Sequence, residues 1–441
     1  MTTKSILFVL AALSASPLAG AADLIETYHA AQSQDAVFAS AQAAQRAGLE
    51  KLPQGRSLLL PSVNLSANTS YNDNNIQYRG STALRSGTSQ FNSYGYGVNL
   101  TQPLYRQQTR VAYSEAGLQV IQTDAQFKAA EQDLILRVAQ AYFDVLIAQD
   151  AVQLAEAQKT AITEQLEQAK RNFEVGTATI TDTYEAQARY DLTHSQGIAA
   201  QSNLEIKKRA LQQIINVGPG ELRNLGKEFK LEGPQPDDVE KWVEDAQLHS
   251  LQLVVAQAGA ELAAKEVTRN RSSDYPTLDL VASYANSSAS GGSQGVGNDS
   301  SSKIIGVQLN MPLYQGGAIQ SRLREAEANR DRAREDLENT RRNVALQTRQ
   351  AYLGVVDGMA QVKALQQALK SSESLLDASK LGQEVGVRTN LDVLNAQQQV
   401  YSTRRDLYQA EYNYLVSQLR LKAAVGTLAE DDLAKINQAL Y

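Results

Sequence analysis

Val98–Tyr105 (VNLTQPLY) decides the fold, because it recurs as Val307–Tyr314 (VQLNMPLY) further along the chain. The tripeptide Glu174–Gly176 recurs in the same way as Glu384–Gly386. Both pairs are separated by about 210 residues, and a fixed separation of this kind indicates two copies of one structural unit. The sequence therefore predicts two internal structural repeats.

Short segments of alternating apolar and small or polar residues begin each copy, at about 62–72, 92–103, 276–286 and 303–312. A period of two residues is typical of strands with one apolar side. A soluble sandwich shares this pattern, but strands of about 10 residues also have the length of a tilted membrane-spanning strand. Segments between paired strands, such as Ala285–Ser302, are rich in Ser, Gly and Asn and are predicted to be exposed loops.

The number of strands argues for assembly from several chains. Four strands cannot close a barrel, and the smallest membrane barrels have about eight. Three chains that contribute four strands each would give a barrel of about twelve.

Two long segments without proline, about 107–174 and 315–384, have apolar residues at spacings of three, four and seven. This pattern predicts helices of roughly 100 Å. The return helices, about 181–217 and 391–425, are about half as long, and the heptad spacing within the second indicates coiled-coil packing.

Two shorter segments, Leu24–Leu52 and Asp237–Arg271, are each predicted to be one helix. Either one stacked end to end with a return helix would match a long helix, which gives four helical rods per chain. The first repeat is then 22–217 and the second 237–426. The linker 218–236 and the tail 427–441 are predicted to pack as an equatorial belt outside the rods.

Residues 1–21 have a charged start, a short apolar run and small residues at the end, which predicts a signal peptide for export. No later apolar run is long enough for a transmembrane helix. The chain has no cysteine, and its net charge of -6 gives no reason to expect a nucleic-acid partner.

No catalytic residues, cofactor site or metal site are predicted. The three histidines, His29, His194 and His249, lack metal-ligand spacing, and no catalytic triad or nucleotide-binding motif is present. The sequence therefore predicts that the protein is not an enzyme.

The segment VGVRTNLDVLNA at 385–396, followed by Tyr412–Tyr414 and Ala424–Leu428, resembles the TolC family of outer-membrane efflux and type I secretion proteins. The resemblance implies an α+β membrane protein: a trimeric 12-stranded β-barrel, four strands per chain, continuous with a long periplasmic α-helical coiled-coil barrel. It also implies an outer-membrane location and passive export through a duct closed at its periplasmic tip.

The resemblance further implies a periplasmic gate. Asp392 matches an aspartate that forms a constricting ring in the family, and Arg388, Thr181 and Asp182 match residues that link neighbouring hairpins. Three carboxylates on one axis would repel one another and attract cations.

Two positions depart from the family pattern, and a simpler interpretation of the acids stays open. Asn395 and Gln383 stand where TolC itself has a second aspartate and a linking tyrosine, so a weaker cation ring and an altered latch are expected. Thr179–Asp182 and Thr389–Asp392 also each place a threonine just before a helix and an acid three residues later. That spacing is typical of helix capping, which is compatible with a gate.

The partners implied by the resemblance are two further copies of the chain, outer-membrane lipid, a periplasmic adaptor protein and an inner-membrane transporter of the ABC, RND or MFS class. An alternative function is a barrel-anchored coiled-coil structural protein or adhesin, which would share the heptads.

Overall fold

The computed structural model describes residues 23–77, 79, 86–226, 230–292 and 296–440. The signal peptide predicted at 1–21 lies outside the described residues. The chain divides into two compact units. One contains the residues up to Ala41, Ala129–Ser250 and those from Val344 onward, and the other contains Gln42–Lys128 and Leu251–Asn343.

The two copies contain the same series of elements, apart from the short helix Lys51–Ser57 of the first copy. The first has α1 (Leu24–Gln34), α2 (Ala36–Leu49), α3 (Lys51–Ser57), β1 (Ser62–Ile76), β2 (Gly87–Tyr105), α4 (Gln107–Glu174) and α5 (Ile180–Ile215). The second has α6 (Val239–His249), α7 (Leu251–Arg271), β3 (Thr277–Ala289), β4 (Asn298–Asn310), α8 (Ala318–Glu384) and α9 (Asn390–Val425), and α10 (Glu430–Asn437) follows.

The strands form one antiparallel sheet in the order β1-β2-β3-β4. Leu65 lies directly opposite Val98, and Leu280 lies opposite Val307. Residues directly opposite in neighbouring strands share a face, so the alternating apolar side chains of all four strands form one apolar face. Ser66 pairs with Gly97 on the polar face. The apolar face is open within one chain, since Leu65 is 74% exposed.

The strands extend further than the apolar alternation predicts. The loop prediction for Ala285–Ser302 is wrong at both ends, because β3 continues to Ala289 and β4 begins at Asn298. Ser288 lies opposite Asp299 in this extension. The ladder is made by backbone groups, so polar side chains do not end it, and a sequence pattern based on apolar residues stops too early.

The helices predicted at Leu24–Leu52 and Asp237–Arg271 are each broken, which corrects the sequence prediction. Asp35 separates α1 from α2, and Ser250 separates α6 from α7. Both residues have extended backbone dihedrals and are buried. Asp35 accepts a hydrogen bond from the backbone nitrogen of Val37 at 3.1 Å and pairs with Arg137 at 2.5 Å. Short polar side chains favour helix ends. The ion pair between Asp35 and Arg137 stabilises the break between α1 and α2.

The linker and the tail pack against each other. Leu225 forms a bridge with Leu440, and the Gly226 nitrogen donates to the Ala439 carbonyl at 2.8 Å. The Tyr414 hydroxyl on α9 donates to the Glu232 carbonyl at 2.6 Å. The tail also contains α10, so it is partly helical. Within the described ranges, no helix has both the length and the hydrophobicity needed to cross a bilayer.

A group of polar side chains lies within the helical packing of α4, α8 and α9. The buried Tyr412 donates to Asp150 at 2.9 Å and packs on Phe143 with ring centroids 5.6 Å apart. Glu411 is next to Tyr412 in the sequence. Burial raises the pKa of Glu411 from 4.5 to about 7; a hydrogen bond with Gln366 opposes this shift, and repulsion from Asp150 adds to it.

This shift predicts a pH-dependent stability. Between about pH 4.5 and 7 the folded chain keeps a proton on Glu411 that the unfolded chain releases, so stability falls as pH rises through this range. We expect Glu411→Gln to stabilise the protein at pH 8 by on the order of 1 kcal/mol per chain and to have little effect at pH 4.5.

Denaturant unfolding of the detergent-solubilised protein at both pH values measures the effect. Asp406→Asn, which changes an exposed acid on the same helix, is the matched control. Equal effects of Glu411→Gln at both pH values would contradict the prediction.

Candidate functional site at the helical hairpin turns

The turns that join α4 to α5 and α8 to α9 have the same backbone geometry. Gly176 and Gly386 both have φ of 78°, a left-handed conformation that favours glycine. In the first turn the Asn172 carbonyl accepts from the nitrogens of residues 177 and 178, at 2.8 and 3.2 Å. In the second turn the Gly382 carbonyl accepts from residues 387 and 388, at 2.9 and 3.1 Å. The repeat thus places one turn type at both hairpins.

Each return helix begins with a capping box. Asp182 accepts from the backbone nitrogen and the hydroxyl of Thr179, both at 2.8 Å, and its own nitrogen donates to that hydroxyl at 3.3 Å. Asp392 makes the same contacts with Thr389, at 2.9, 2.8 and 3.2 Å. These contacts satisfy amides at the helix start that have no partner within the helix.

Asp392 has a fixed position and a stabilised charge. Hydrogen bonds from the backbone and the hydroxyl of Thr389 lower the pKa of the carboxyl group, and the positive charge of Arg388 lowers it less. The Arg388 Nη1 lies 3.7 Å from Asp392 Oδ1. Because this pair is more than a third exposed, its role in stability is small, but the aspartate stays ionised at neutral pH.

The structure brings two of the four predicted gate residues together within one chain. Arg388 pairs with Asp392, while Thr181 is an exposed residue in the first turn of α5, beside Asp182. Among the described residues, no hydrogen bond or ion pair joins Arg388 to Thr181 or Asp182.

The two departing positions have polar partners. Gln383 donates to Asn390 across the second turn at 3.4 Å. Asn395 accepts a 2.7 Å hydrogen bond from Arg189, which joins α9 to α5. The sequence analysis missed Arg189. Arg189 lies seven residues after Asp182 and therefore on the same face of the helix, and this spacing is the signal that would have indicated it.

Apolar packing near the turns leaves the polar residues exposed. Leu166 and Ala169 on α4 pack with Ala186 on α5, and Tyr190 lies against them. Val393 and Leu394 on α9 are also buried, whereas Asn395 is exposed. In the part of the chain that the structure describes, no group of three or more His, Asp or Glu side chains is arranged to hold a metal ion.

Residues 27–217 and 242–427 match the Outer membrane efflux protein family, so both copies are covered. The chain belongs to this family. It is 34% identical to the outer membrane protein TolC of Vibrio cholerae over 98% of both chains. It is also 31% identical to the alkaline protease secretion protein AprF of Pseudomonas aeruginosa, over 93% of this chain and 85% of that one.

Solved structures show the same fold. The outer membrane channel CmeC of Campylobacter jejuni has a TM-score of 0.77 and 18% identity, over 100% of this chain and 97% of that chain. Four antiparallel strands per chain, long helices and two repeats are the fold of the trimeric channels. Its family and its similarity to TolC show that the chain is a channel of the outer membrane and not an enzyme, and the family forms homotrimers. Membership of the Outer membrane efflux protein family excludes the alternative function of a structural protein or adhesin.

The capping geometry gives a testable prediction. Thr179→Ala or Thr389→Ala removes the hydroxyl that caps a return helix and should lower the local stability of that hairpin by about 1 kcal/mol. Hydrogen exchange of the first-turn amides of α5 and α9 measures this loss. Thr160→Ala, which removes an exposed threonine within α4 and away from both caps, is the control. A loss of protection with Thr160→Ala equal to that of the cap variants would rule out this role for the two threonines.

Proposed function

We propose that the chain is one subunit of a homotrimeric export duct that is closed at its helical hairpin turns, with Asp392 at the narrowest point. The fixed, ionised carboxylate of Asp392 carries this proposal. Three such groups around a common axis would form an anionic ring that attracts cations and repels anions. Thr389 orients each carboxylate, so the ring would not depend on flexible side chains.

Arg388, Thr181 and Asp182 are the proposed latch between neighbouring chains. Arg388 is half-exposed, and a guanidinium group has five N–H donors, so contact with Asp392 leaves donors available. Asp182 is an acid at the matched position of the other hairpin. Opening would exchange these contacts as the hairpins repack, when a partner binds the open packing more tightly. The contacts at Gln383 and Asn395 would make this latch different from that of TolC.

The proposed partners are a periplasmic adaptor and an inner-membrane transporter of the ABC, RND or MFS class. The family description, efflux, and the name of the relative AprF, which refers to protease secretion, support export as the shared task. Under this proposal energy comes from the transporter and the cargo crosses the channel passively. The linker 218–236 and the tail 427–441 would form the belt outside the periplasmic helices.

The orientation of the sheet predicts the effect of a charge on each face. Leu65→Arg places a cation on the apolar face and should cost about 2–4 kcal/mol near the middle of the bilayer. We expect a loss of assembled protein in the outer-membrane fraction. Ser66→Arg, at the next residue on the polar face, should assemble normally. Equal assembly of both variants would mean that the apolar face does not contact lipid.

The gate is tested by single-channel conductance in planar bilayers. Divalent cations added on the periplasmic side should block the wild-type trimer, and Asp392→Ala should reduce the block because the anionic ring is lost. Asp191→Ala is the control, since it removes an exposed acid of α5 that lies outside both turns. If both variants are blocked like the wild type, Asp392 is not the constriction. If well-inserted wild-type trimers do not conduct, the duct itself is refuted.

A further inference from the structure

The two hairpin turns share a backbone but differ in the side chains at one contact. In the first turn Asn172 is in the last turns of α4 and Ala178 lies in the loop. In the second turn Gly382 is at the helix position and Arg388 at the loop position. The small and the large residue are thus exchanged between the two positions.

Backbone hydrogen bonds force these two positions together. The carbonyl of Gly382 accepts from the nitrogen of Arg388 at 3.1 Å, as that of Asn172 accepts from Ala178 at 3.2 Å. A Cβ atom at Gly382 would lie 2.7 Å from Arg388 Cγ and 3.3 Å from Arg388 Cβ. Both atoms are near the backbone end of the arginine, so they cannot move aside without rotation of the whole side chain.

Backbone conformation does not explain this glycine. Gly382 lies within α8, where any residue can adopt the helical dihedrals, whereas Gly386 is the residue with a positive φ. Glycine within a helix is less favourable than alanine. Gly382 is also buried, under the stem of Arg388. The glycine therefore lowers the stability of the helix, and the close approach of Arg388 is the reason why glycine is needed at this position.

We propose that Gly382 is a positioning residue for the gate. Its missing side chain leaves the space in which the stem of Arg388 lies against the last turn of α8, and this holds the guanidinium group beside Asp392. The inference deepens the proposed gate and rests on it. The first hairpin differs at both positions, since Asn172 has a side chain where the second hairpin has glycine, and Ala178 stands where the second has arginine.

A double-mutant cycle tests the inference with purified trimers of the full chain. The variants are Gly382→Ala, Arg388→Ala and the combination, with Asn172→Ala as the matched control. One readout is hydrogen exchange of the amides of residues 387 and 388, which bond to the Gly382 carbonyl. The other is divalent cation block of single channels.

With Arg388 present, Gly382→Ala should increase exchange at these amides about tenfold, as expected for overpacking. Gly382→Ala should also change the divalent cation block in the same direction as Arg388→Ala does. With Arg388→Ala already made, Gly382→Ala should slow exchange or leave it unchanged, and should not alter the block further. Asn172→Ala should leave both readouts at wild-type values.

Two other results separate the inference from the proposed function. If Gly382→Ala has the same effect on exchange in both backgrounds, it does not act through Arg388, and the inference is overturned. If neither single variant alters the cation block but the exchange results depend on Arg388 as expected, Gly382 positions Arg388 and the gate assignment of Arg388 is wrong.

Discussion

Backbone hydrogen bonding at the edges of the sheet is the constraint on which the rest of the structure depends. Within the described chain, β1 pairs only with β2 and β4 pairs only with β3, so one edge of each outer strand has no partner. In lipid such groups cost several kcal/mol each. A sheet with an apolar face can enter the membrane only when its edges pair with other chains, and the homotrimers of the family meet this need.

Because of the repeat, both hairpins have the same backbone conformation at the turn, although some of their side chains differ. The glycine at the turn, the carbonyl that closes it and the capping threonine are common to both. These features set the geometry of the turn. Asp182 and Asp392 are also common, but only the second hairpin has an arginine one turn before its aspartate. One hairpin can thus carry a charge pair while the other presents a plain cap of the same shape.

The helical packing combines an apolar core with polar contacts that break its regularity. Asp35 and Ser250 divide segments that the sequence predicts to be single helices, while Gln397 and Thr403 are buried on α9. Buried polar residues lower the stability of a coiled coil and select one register. The hydrogen bond from Arg189 to Asn395 is exposed, so breaking it would not by itself expose apolar surface. A contact of this kind suits the hairpin repacking that the proposed gate requires.

The sequence by itself determined the repeat, the alternation of the strands and the capping boxes, because these depend on residues near one another in the chain. It also indicated the family. Only the tertiary structure decided that α1 ends at Asp35, since the stabilising partner, Arg137, is about a hundred residues away. The same holds for the bond from Arg189 to Asn395. For Gly382, a glycine inside a helix is visible in the sequence, but the reason for it is a steric contact with Arg388 that only the folded turn creates.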